Sequence, residues 1–184
     1  MNSSNAKINL VLILGILEIL SLKTVYAGQG QTNLTASINL IPACLVNTSS
    51  AVSGNLGSSL GELDFGQKSI FFDRANTTLI NQFNAIKVYC PINSQVSLTF
   101  DAGQNSANVS HQNGLDRAMS NGTGKFVEYK IYKDNQSGML LTPQTNLALS
   151  GGIEHEIKIY AEAYNNNTIV VGQYTDQITI TITF

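Results

Sequence analysis

Over the last seven residues, 178–184, apolar and polar positions alternate without a break: Ile178, Ile180, Ile182 and Phe184 against Thr179, Thr181 and Thr183. A spacing of two with β-branched and aromatic side chains predicts a strand, opened by Gly172 and carried to Phe184, with an apolar row on one face and threonines on the other. These residues hold no Pro, Lys or Glu of the kind that blunts an exposed sheet edge, so something is expected to pair with it. The same alternation occurs near the other end, where Leu34, Ala36, Ile38 and Leu40 oppose Thr35, Ser37 and Asn39. That segment too predicts a strand, whose apolar character Cys44-Leu45-Val46 prolongs, and between the two ends the pattern predicts strands at residues 60–66, 85–90, 94–100, 126–132 and 153–163. Residues 47–59, 69–82 and 165–167 read as loops, and 104–124 as turns around a short segment at 115–119. Seven to nine short strands without helical crossovers predict an all-β, antiparallel two-sheet sandwich.

Charge narrows the functions open to such a sandwich. The 184 residues suffice for one domain with a sizeable core, and a formal charge of -2 gives neither a basic footprint for nucleic acid nor a polybasic membrane patch. Residues 1–27 read as a secretory signal: Lys7 in a polar start, an apolar run over 8–22 broken by Glu18, and Val25-Tyr26-Ala27 as the cleavage site. The unbroken apolar stretch is too short to span a bilayer. Export places both cysteines, Cys44 and Cys90, in an oxidising compartment. An even pair without metal-ligand spacing then reads as one disulfide, against the alternative of two separate buried thiols. Closing a loop of that length stabilises a fold by about 4 kcal/mol.

Candidate chemistry is sparse. Gly57-Ser58-Ser59-Leu60-Gly61 fits the G-x-S-x-G pattern of a hydrolase elbow, but that motif needs a strand before it and a helix after it, and here a polar loop leads into a predicted strand. With only His111 and His155 in the chain, a histidine-based metal site or triad has little to build from. His155 falls on the apolar face near the start of a strand, the place of a satisfied boundary histidine. Asp64, Asp101 and Asp116 lie near predicted turns, where solvated carboxylates are the default. No metal, cofactor or small-molecule substrate is expected.

Several segments in order carry a resemblance: Cys44-Leu-Val-Asn47, Gly61-Glu-Leu-Asp-Phe-Gly66, Ile86-Lys-Val-Tyr-Cys90, Leu98-Thr-Phe-Asp-Ala-Gly103, Asp116-Arg-Ala-Met119, Tyr129-Lys-Ile-Tyr-Lys-Asp134 and the ending from Gly172 to Phe184. Together they resemble the spore coat protein U family, whose look-alikes include subunits of archaic, Csu-type chaperone-usher pili. The resemblance implies an incomplete immunoglobulin-like antiparallel sandwich completed by donor-strand complementation. It implies a signal peptide at 1–27, a donor-strand extension at 28–43 and a pilin domain at 44–184. Carried onto this chain, Leu34, Ala36, Ile38 and Leu40 form the donor row, while Ile178, Ile180, Ile182 and Phe184 belong to the strand flanking the acceptor groove. The implied partners are a periplasmic pilus chaperone, an outer-membrane usher and neighbouring subunits in a head-to-tail polymer. The implied role is a structural or adaptor subunit, exported to the periplasm and then the cell surface, in fibres that support attachment and biofilm formation. The alternative reading is a self-contained secreted coat or carbohydrate-binding sandwich.

Overall fold

The computed structural model describes residues 34–41, 43–51, 59–110 and 115–184. The expected signal segment, Pro42, Gly57 and Ser58 of the G-x-S-x-G pattern, and residues 111–114 of the turns expected over 104–124, His111 among them, lie outside the described residues. The chain divides into two units, Met1–Asn39 and Leu40–Phe184. Of the first unit only residues 34–39 are described, and they lie outside any helix or strand with every residue exposed.

The second unit is an all-β, immunoglobulin-like antiparallel sandwich. Its strands are β1 (Cys44–Val46), β2 (Ser49–Ala51), β3 (Arg74–Thr78), β4 (Ile86–Tyr89), β5 (Gln95–Phe100), β6 (Arg117–Ser120), β7 (Phe126–Lys133), β8 (Asn146–Ser150), β9 (Glu154–Ile157), β10 (Ile159–Tyr164) and β11 (Ile180–Thr183). A 3-10 turn, Ser106–Asn108, precedes β6. Among the described residues the hydrogen-bonded ladders run β2-β1-β4-β9, β11-β5-β8 and β3-β10-β7-β6.

The first two ladders are halves of one layer. Gly152 N donates to the Cys90 carbonyl at 2.9 Å and Gly151 N to the Ser94 carbonyl at 3.2 Å, so β4 runs on into β5 and β8 into β9 as one kinked antiparallel ribbon. Gly151 has no room for a side chain there, because a Cβ would fall 2.1 Å from the Pro91 carbonyl oxygen. Along the outer side of this ribbon β1 lies beside β4 and β11 beside β5. The third ladder is the facing layer. Between the layers Val88, Leu98 and Phe100 meet Tyr129, Ile131 and Ala163 in one apolar core.

The alternating segments at 85–90, 94–100 and 126–132 form the predicted strands, within a residue or two at each end. Other expectations differ. Residues 153–163 are not one strand: β9 pairs with β4, and after Lys158 β10 pairs with β7 and β3, so the chain changes layer while its side-chain alternation continues. The loops expected at 47–59 and 69–82 contain β2 and β3, whose polar sequences suit sheet edges. Residues 60–66 make one bridge, Glu62 to Ile80, instead of a ladder. The predicted strand at 172–184 bridges β6 through Thr175, crosses layers, and joins a ladder only over Ile180–Thr183. Strand β8 forms where the pattern predicts none.

Candidate functional site

The disulfide is the first feature to fall into place. In the β1–β4 register Leu45 faces Tyr89 and Val46 faces Val88, which sets Cys44 opposite Cys90. Asn47 N donates to the Lys87 carbonyl at 2.9 Å, so the bonded pairs fall at every second step and Cys44 opposite Cys90 is a close, non-bonded pair. The Cα atoms are 4.3 Å apart, and the two sulfurs are joined inside the core.

The second feature is an open edge. Among the described residues β11 pairs only with β5. Asp101 N donates to the Thr179 carbonyl at 3.0 Å, which makes that a bonded pair and places the next ones at Thr181 and Thr183. The backbone N–H and C=O groups of Ile180 and Ile182 therefore point away from β5 to the open side. Their side chains, with those of Ile178 and Phe184, are half-buried against the core, while the threonines face solvent. Beside this edge runs a groove of ≈ 1820 Å³. Its floor is the inner face of the second layer, Ala75, Val127, Tyr129, Ile131, Ile159 and Ala163, and its far side carries Leu63 and Phe65. Phe65 meets Tyr129 edge-on at 6.3 Å. The volume exceeds the roughly 300–1,000 Å³ of a small-molecule pocket and suits an extended segment of chain.

Of the proposed donor row, Leu34 (96% exposed), Ile38 (82%) and Leu40 (81%) are large aliphatics in water, and Ala36 is exposed with them. Ser59 Oγ is engaged with the backbone of Gly61, 3.3 Å from both its nitrogen and its oxygen, and no helix follows it. His155 Nε2 donates to the Ser150 carbonyl at 2.8 Å, a boundary histidine satisfied by backbone. Among the described residues no three His, Cys, Asp or Glu side chains are placed to hold a metal ion.

A polar cluster beside the groove escaped the pattern reading. Arg117, 1% exposed, donates Nε to the Asp101 carbonyl at 2.8 Å and one terminal nitrogen each to those of Leu141 at 2.7 Å and Phe100 at 3.1 Å. Burial lowers its pKa, and nearby Tyr129, Asp101, Asp116 and Asp176 oppose that shift. The Tyr129 hydroxyl donates to Asp176 Oδ2 at 2.7 Å. Burial first, then that carboxylate, pushes the phenol well above its ordinary pKa.

Residues 31–181 match the Spore Coat Protein U domain. The chain belongs to that family. Among solved structures, this Spore Coat Protein U chain is similar to a chain of the CsuC–CsuE chaperone–tip adhesion subunit pre-assembly complex from archaic chaperone-usher Csu pili of Acinetobacter baumannii. The identity is 18% and the TM-score 0.49, over 79% of this chain and 40% of that one, so it spans two-fifths of that relative. A second, from the structure of a chaperone-usher pilus that addresses rod uncoiling, is 16% identical with a TM-score of 0.48, over 88% of this chain and 98% of that one. A comparison with curated proteins gives no match.

Proposed function

We propose that the chain is a pilin, a structural or adaptor subunit of an archaic chaperone-usher pilus that polymerises by donor-strand exchange. The observation that carries this reading is the edge of β11, unpaired among the described residues, beside a groove with an apolar floor, in a chain that also carries an exposed alternating segment. A strand laid along β11 would satisfy the outward N–H and C=O groups of Ile180 and Ile182 and place alternate side chains in the groove. The four donor positions span three two-residue steps, about 20 Å in extended chain, and so do Ile178 to Phe184. Burying Leu34, Ile38 and Leu40 at about 1.5–3 kcal/mol each stabilises one junction by several kcal/mol.

A tail that fills the groove of another copy forms a contact that does not close on itself, which generates a filament. Before assembly, a periplasmic chaperone would cover the groove, and an outer-membrane usher would deliver the subunit to the cell surface. The subunit itself performs no catalysis, and its contribution to attachment and biofilm lies in the fibre. Deleting residues 32–40 tests this: the expected product is a chaperone-bound subunit that accepts a strand but cannot donate one. Fibres that still extend through the truncated subunit would refute the assignment of the donor.

A further inference from the structure

The last strand reaches β5 by crossing from one layer to the other, and the crossing is held by side chains. Thr175 exchanges two backbone hydrogen bonds with Ser120 of β6, at 2.8 and 2.9 Å. Four residues later Thr179 is bonded to Asp101 at the end of β5, its carbonyl accepting from Asp101 N and its N–H donating to Asp101 Oδ1 at 2.9 Å. Between the two, Asp176 turns inward. Its Oδ2 accepts from the Tyr129 hydroxyl at 2.7 Å, and its Oδ1 accepts from Gln104 N at 2.9 Å and Asn105 Nδ2 at 3.1 Å. Gly103, at φ +71, lets the loop pass, since a Cβ there would lie 2.1 Å from Asp176 Oδ2. Arg117 sits behind, bonded to the carbonyls of Phe100 and Asp101, where β11 begins its pairing.

Polar groups at this point do something that apolar ones cannot. The sequence of β11 and its flanks, Ile-Thr-Ile-Thr-Ile-Thr from Ile178 to Thr183, repeats with period two. A slip of one residue would turn every isoleucine to solvent, but a slip of two keeps the apolar row inward and leaves the ladder looking the same. The repeat alone leaves its register on β5 undefined. Asp176 has no equivalent two residues away on either side: Ile178 has no side-chain acceptor, and Tyr174 offers one hydroxyl oxygen, already bonded to Val170, where the Asp176 carboxylate takes three donors. A partly buried polar contact distinguishes registers that the hydrophobic pattern leaves equivalent, as a single polar core residue does in a coiled coil.

We propose that Tyr129 and Asp176, backed by Arg117, are the positioning residues of the open edge: they fix the register of β11 on β5 and so decide which backbone groups meet an incoming strand. This rests on the strand-acceptor reading above. It gives the segments at residues 98–103 and 116–119 and Tyr129 a shared purpose, since all of them meet at one crossing.

The test compares the exported full chain with Tyr129→Phe and Asp176→Asn variants by hydrogen exchange resolved to single strands, alone and with a synthetic peptide of residues 32–42. Loss of a hydrogen bond to a carboxylate should speed exchange at Thr181 and Thr183 about tenfold, leave β7 and β10 unchanged, and speed peptide release about tenfold. Tyr129→Phe keeps the ring, so it remains informative should Asp176→Asn fail to fold. Exchange rising equally in every strand, or not rising in β11, would overturn the positioning role. A wild-type chain that ignores the peptide would sink the strand-acceptor reading, whereas a move of the close Hα–Hα contact of Ile182 from Leu98 to Phe100 or Val96 in the variants, read by NMR, would still support register control, and an unmoved contact would overturn it.

Discussion

Replacing Arg117 with methionine keeps most of the side-chain volume and removes all three of its donated bonds. The carbonyls of Phe100, Asp101 and Leu141 would then lose donors that come from a side chain only 1% exposed. Each buried acceptor left without a partner costs about 1–3 kcal/mol, and sparing the fold the burial of a cation offsets part of the sum. The net expectation is a loss of about 3 kcal/mol, a large share of the roughly 5–15 kcal/mol that holds a domain of this kind. Urea unfolding with the disulfide intact reads it directly: at a slope of about 2 kcal/mol per molar, the midpoint should fall by about 1.5 M with the slope unchanged. Arg117→Lys, which keeps the charge but cannot fork to three carbonyls, should fall between wild type and Arg117→Met. A midpoint shift for Arg117→Met of less than about 0.5 M would show that those carbonyls find water at no cost, and the reasoning would fail.

Three other outcomes follow from the same geometry. Tyr129 holds its proton in the folded state well above the value of an unfolded tyrosine, about 10, so its contribution is complete below that pH and declines as pH rises beyond it; stability should fall in alkali, and less steeply in Tyr129→Phe. Reducing Cys44–Cys90, which closes a sequence separation of 46, should cost about 4 kcal/mol in a denaturation series run with and without reductant. Gly103→Ala combines a positive φ with an approach of 2.1 Å to Asp176, and should destabilise by about 1–3 kcal/mol while loosening β11 more than β10 in hydrogen exchange.

The sequence showed most where alternation coincided with burial. Strand β7 is legible because Val127, Tyr129 and Ile131 oppose Glu128 and Lys130, and the structure buries the first set while the second stays half-exposed. Strands β3 and β2 are not legible: Arg74-Ala-Asn-Thr-Thr and Ser49-Ser-Ala present little apolar surface, because edge strands need only one covered position. The change of layer at Lys158 left no trace, since period two reports which side of a strand is buried and says nothing about its hydrogen-bonding partner. The crossing at Asp176 was hidden for the same reason. Arg117 gave no signal either. A lone arginine between Asp116 and Ala118 reads as a turn charge until β6 places it under three carbonyls. The apolar row of the final strand was visible from its residues, and the structure adds which way it faces: inward, along the groove, with the backbone of Ile180 and Ile182 turned to the open side.

That geometry makes one measurement decisive. Hydrogen exchange at the amides of Ile180 and Ile182 can be followed in the purified chain before and after addition of a peptide of residues 32–42, with a peptide carrying Ile38→Asp as control. A strand-accepting groove predicts rapid exchange at both amides in the free chain, marked protection once the native peptide is bound, and none with the aspartate control. Protection already present in the monomeric chain, or no change on adding the native peptide, would contradict the claim that this edge is kept open for a strand from another subunit.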